Sequence, residues 1–137
     1  MIISKYNKRI IEKNLCKYNE YLKRQNEKIE DIIYSSGSNS GSGNSNKYLD
    51  ITGEKAMKLC EETIEKKWLK VIDQLISKFA NKDKNIKYLL ENKYFKGRSI
   101  IEIQSDLHVE KSTIYRWKDD ILIFTAILAI QEGLIEL

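Results

Sequence analysis

Residues 94–121 read YFKGRSIIEIQSDLHVEKSTIYRWKDDI, and the fold turns on how this stretch divides. Ser99 followed three residues later by Glu102 is a capping box, the signature of a helix start. Ile100, Ile103 and Leu107 then share one face of a short helix. Leu107-His108-Val109-Glu110 predicts a tight turn with one apolar residue inside it. A second helix starts near Lys111, with Ile114, Trp117 and Ile121 spaced by three and four. Two short helices joined in this way predict a helix-turn-helix, packed over Ile103, Leu107, Val109, Ile114 and Trp117. Two positions depart from the usual pattern. His108 stands where glycine is usual in the turn, and Gln104 where alanine is usual in the first helix.

That packing leaves Lys111, Ser112, Thr113, Tyr115, Arg116 and Lys118 on or beside the outward face of the second helix. A helix of this width fits the major groove of duplex DNA, and its first turns meet the base edges. Ser112 and Thr113 suit bases or phosphates, and Arg116 suits guanine in bidentate fashion or a phosphate. Lys111 and Lys118 suit phosphates, and Lys96 and Arg98, before the motif, are placed to clamp the backbone. The bland alternative is a helical pair that only packs, since such pairs occur in many proteins that never touch nucleic acid.

Working outward, the upstream pattern is helical too. Ile11, Leu15, Tyr18, Leu22, Gln25, Ile29 and Ile32 form a heptad seam over 4–34, broken once by a polar residue. The seam fits either packing within the chain or a dimerising coiled coil. This segment holds eight basic and five acidic residues, most of the positive excess of the chain. Residues 35–46, SSGSNSGSGNSN, carry no charge and no apolar side chain, which predicts a flexible linker or long loop. Thr52 is the expected cap of a central helix whose apolar positions recur to about residue 80. Asp83 is the expected cap of a further helix over 84–94, closed by Gly97 in a left-handed conformation.

The expected organisation is therefore all-α. It comprises an N-terminal amphipathic helix (1–34), a flexible Ser/Gly/Asn linker (35–51), a long central helix (52–82) and a helix-turn-helix region (83–137). The last region ends in the run ILIFTAILAI (121–130), apolar on every face of a helix, which must be buried or meet a partner. Intramolecular packing is the first expectation for that run, and contact with a second copy or a polymerase the second.

Composition narrows the function. The 137 residues are 42% apolar and 32% charged, with net charge +4, a balance that permits a polyanionic partner without demanding one. Proline is absent, which favours long helices. Cys16 and Cys60 lie 44 residues apart with no CxxC pair, and His108 is the one histidine, so neither a zinc site nor a disulfide scaffold is expected. Free, packing cysteines fit a reducing, cytoplasmic compartment. The first nine residues hold no long apolar stretch, so no signal peptide is expected. The longest apolar run is about half of what a bilayer span needs, so no membrane partner is expected. No nucleophile–base pair, phosphate loop or metal cluster is visible, so neither enzymatic activity nor a cofactor is expected.

The stretch 93–122, KYFKGRSIIEIQSDLHVEKSTIYRWKDDIL, resembles region 4 of bacterial sigma factors. With the upstream DIIYSS (31–36) and TGEKAMKL (52–59), the layout is similar to the RinA and ArpU group of phage transcriptional regulators. The resemblance touches most of the chain, but only its last block is specific. It implies a DNA-binding activator of phage late or packaging genes, acting in the bacterial cytoplasm, with RNA polymerase as a further partner. Homodimerisation through the N-terminal or C-terminal helix would fit. The Ser/Gly/Asn tract and the strongly apolar end depart from that group. Two competing readings stand beside it: a DNA-packaging adaptor like a small terminase subunit, and a helical module that contacts polymerase or another regulator without reading DNA.

Overall fold

The computed structural model describes residues 2–37 and 63–136, and these are all-α. In chain order the helices are α1 (Lys5–Cys16), α2 (Tyr18–Gly37), α3 (Ile64–Lys82), α4 (Lys84–Leu89), α5 (Ile100–Leu107) and α6 (Lys111–Gln131). A π-helical segment, Leu90–Phe95, continues α4.

The single N-terminal helix expected over 1–34 is two helices. Ser4 caps α1 by accepting from the Asn7 N–H at 3.1 Å. The helix then breaks at Lys17, with φ −93° and ψ 5°. Asn14 bridges the break: its side-chain amide donates to the Ile10 carbonyl at 2.8 Å, and its oxygen accepts from the Tyr21 hydroxyl. As far as Ile29 the seam packs within the chain. Ile11 and Leu15 are fully buried, and Tyr18, Leu22, Gln25 and Ile29 are half-buried. Tyr18 donates to Asp73 of α3 at 2.7 Å and stacks on Phe95, ring centroids 4.6 Å apart. Burial, then the Asp73 carboxylate, pushes its hydroxyl pKa up to about 12.

The linker expected over 35–51 does not begin at residue 35, because α2 runs through Gly37. A helix already formed extends at little cost, one bond for each residue fixed. The remainder of the linker, and the expected cap Thr52 with Ala56, Met57, Leu59 and Cys60, lie outside the described residues. The central helix opens at Ile64, not near Thr52. Thr63 is extended, φ −85° and ψ 164°, and its hydroxyl accepts from the Lys66 N–H, so no helix passes through it.

Asp83 caps α4 as expected, accepting from the Asn85 N–H at 3.0 Å. The helix expected over 84–94 changes pitch after Leu89, and the Lys96 N–H closes the wider turn on the Glu91 carbonyl at 3.0 Å. Gly97 sits at φ +69°, the left-handed position a side chain would strain.

α6 is the spine. It packs against α1, α3, α4 and α5. Trp68, Val71, Ile72, Leu75 and Phe79 of α3 meet Ile121, Leu122, Ala126 and Ala129 of α6 in one core. Ala126 and Ala129 leave room for close helix approach, and Phe124 lies edge-on to Phe79 at 5.6 Å. Much of the apolar run 121–130 is thus absorbed within the chain. A Schellman motif ends α6: Leu134 N–H bonds the Ala129 carbonyl at 2.8 Å and Gly133 N–H that of Ile130 at 3.0 Å, with Gly133 at φ +73°. No described helix is long and apolar enough to cross a membrane.

Candidate nucleic-acid interface

Two helices joined by a tight turn stand where the residues place them, but the second is not short: it runs on through the apolar tract to Gln131. Ser99 accepts from the Glu102 N–H at 3.2 Å, and its hydroxyl donates to the Glu102 carboxylate at 3.2 Å. α5 ends at His108, the one described non-glycine residue at positive φ (+54°). This left-handed step turns the chain, and α6 begins three residues on. Ile103 and Ile114 are fully buried at the crossing, with Leu107, Val109 and Trp117 half-buried around them. Trp117 is thus at the margin of this small core and not at its centre.

The first two turns of α6 are buried on one side only. Lys111, Ser112, Tyr115, Arg116 and Asp119 are exposed, and Thr113 is half-buried beside them. Tyr115 is 43% exposed, with the ammonium groups of Lys111 and Lys118 5.8 and 6.0 Å from its ring centroid. An aromatic face held between cations suits a nucleic-acid surface. The Arg116 guanidinium has no partner among the described residues, so its five donors are available to an acceptor. Glu110, the N-cap of α6, makes no side-chain capping bond.

The remaining expected contacts are placed differently. Lys118 has only 21% of its side chain exposed, and its ammonium pairs with Glu12 of α1 at 3.7 Å. Arg98 is engaged inside the motif. Its guanidinium donates to the Tyr88 hydroxyl at 3.1 Å and to the Asn92 side-chain oxygen at 3.0 Å, and it pairs with Asp106 at 2.8 Å and Glu102 at 3.4 Å. Tyr88 donates to the same Asp106 carboxylate at 2.7 Å. The Tyr88 hydroxyl, then the Arg98 guanidinium, hold the Asp106 carboxyl below its ordinary value. Arg98 is therefore a brace between the π-helical segment and α5. Lys96, beside it, is exposed.

Two features of this face were not among the residues expected from the sequence. Asp119 stands eight residues after Lys111 and so shares its side of α6, a position the helical spacing could have shown. The Glu12–Lys118 pair joins α1 to α6 across most of the sequence, and no local signal announces it.

Comparison with protein-family models, with curated proteins and with solved structures finds no match.

Proposed function

We propose that the chain is a duplex-DNA-binding transcriptional regulator that reads base edges with the first turns of α6. One observation carries this reading: the polar side of α6 from Lys111 to Arg116 stays in solvent while its opposite side locks into the crossing with α5. That is the arrangement a groove-reading helix requires, with a rigid buried side and a side of donors, acceptors and one aromatic ring. Arg116 and Ser112 are the specifying groups, and Lys111 and Lys96 are phosphate contacts. Activation of phage late or packaging genes, with RNA polymerase as a partner, rests on the sigma-region-4-like and RinA/ArpU-like sequence pattern alone.

The test is selection of bound duplexes from a random pool, followed by affinity measurement at several salt concentrations. A shared sequence among the selected duplexes and affinity falling steeply with salt are expected. Arg116→Ala should cost about 1–3 kcal/mol on the selected site with the fold intact. Absence of binding at low salt overturns the reading and leaves a protein-contact module. A large ring in solution would instead favour the packaging role.

A further inference from the structure

α1 carries a row of cations that the helix-turn-helix reading does not use. Lys5, Arg9 and Lys13 follow one another at intervals of four, so they lie along one side of α1, and all three are exposed. None of the three has an ion-pair or hydrogen-bond partner among the described residues. The position of the row relative to α6 follows from its neighbours. Glu12 stands three residues after Arg9 and seven after Lys5, so these two adjoin its flank of α1 while Lys13 lies a quarter-turn further round, and it is Glu12 that meets Lys118 of α6. Lys8, on that flank too, shares a small cleft of about 230 Å³ with Asp119 and Leu122 of α6. α1 therefore lies alongside α6 and antiparallel to it, with Lys8 near Leu122 and Glu12 near Lys118, so Lys13 marks the end of the row toward the exposed turns of α6.

A duplex held by the exposed end of α6 and extending along the helix past Lys118 would have this row beside it. The acid nearest the row within α1, Glu12, is engaged by Lys118, and no ion pair among the described residues engages the row itself. The π-helical segment packs against α1 as well, and Lys96, just after it, is exposed. We infer that Lys5, Arg9 and Lys13 of α1 form a second duplex-DNA contact, gripping the sugar–phosphate backbone next to the groove that α6 enters. The inference rests on the proposed reading by α6. It adds a surface outside the motif whose role is to position and not to specify, because phosphate contacts fix register without carrying sequence information.

The test uses the full chain with Lys5→Gln, Arg9→Gln and Lys13→Gln combined, against wild type, on one selected duplex and on its scrambled version. Each phosphate contact contributes about 0.9 to the slope of log affinity against log salt. The triple variant should lower the slope by about 2 to 3, weaken both duplexes alike and keep the wild-type thermal transition. A second triple variant, with Lys23→Gln, Lys82→Gln and Lys84→Gln on α2 and at the α3–α4 junction, removes the same charge elsewhere and should leave the slope near wild type. An unchanged slope in the first variant overturns the inference and leaves the α6 reading standing. Equal loss in both triple variants overturns it as a mere effect of net charge. Loss confined to the selected duplex overturns it by making the row a base reader. A wild-type chain that binds neither duplex removes both proposals together.

Discussion

Asn7 and Glu136 hold the two ends of the described chain together: the Asn7 side-chain amide donates to the Glu136 carbonyl at 2.7 Å. Asn7 is 5% exposed, and Ile135 beside the accepting residue is buried. The bond ties the residues after the α6 cap to the first turn of α1. Asn7→Leu removes the donor of this part-buried bond, so it should cost about 0.5–1.5 kcal/mol. Urea denaturation of the variant checks this. A transition midpoint equal to wild type would mean that water satisfies Glu136.

Tyr94 presents the opposite case. It is 3% exposed, and its hydroxyl is the one buried side-chain polar atom without a partner among the described residues. Burial pushes its pKa well up, with Glu12, Cys16 and Asp119 adding to the rise. Tyr94→Phe keeps the ring and removes the unsatisfied group. It should leave stability unchanged or raise it by about 1 kcal/mol, read as the thermal midpoint. A clear loss would reveal a hydrogen bond made through water.

Asp106 predicts an acid-side loss of stability. Its carboxyl is held below the ordinary carboxylate value in the folded chain by Tyr88 and Arg98. A depressed folded pKa contributes stability that is fully present above the unfolded value, about 3.9, and lost as pH falls through the folded one. Unfolding free energy should therefore fall with pH below about 4, and Asp106→Asn should flatten that part of the curve. Equal slopes in the two chains would remove Asp106 from the acid response.

His108 spends backbone energy to turn the chain. At φ +54° a residue bearing a Cβ is strained, and glycine is not. His108→Gly should raise stability by about 0.5–1 kcal/mol, part of the relieved strain being returned as greater freedom of the unfolded chain. Calorimetry decides it; a lower thermal midpoint would mean that the imidazole makes contacts worth more than the strain.

The pairing of α5 with the start of α6 was legible because its signals are local. Ser99 with Glu102, the apolar spacing of Ile103 and Ile114, and a turn residue at His108 each act within a few residues. The caps at Asp83 and Gly97 were legible for the same reason. The break at Lys17 was not: the heptad seam runs through it, and the Tyr21 hydroxyl that braces it reaches back to Asn14 only once the chain has bent. The start of α3 at Thr63 escaped because helical apolar spacing continues upstream, and spacing alone does not show where a cap interrupts it. Of the candidate interface, the exposed side of α6 could be read from the sequence. The engagement of Arg98 by Tyr88, Asn92 and Asp106, and of Lys118 by Glu12, could not, because those partners meet only through packing between elements.

α6 runs without interruption from its solvent-facing start to a finish wedged among α1, α3 and α4. Its 21 residues make a rod about 30 Å long. A stiff rod behaves as a lever: a small tilt imposed at the wedged end is carried to the free end. Enlarging Ala126 or Ala129 would then re-aim Ser112 and Arg116 from a distance, so that the aim of the tip is set by how well its root is seated.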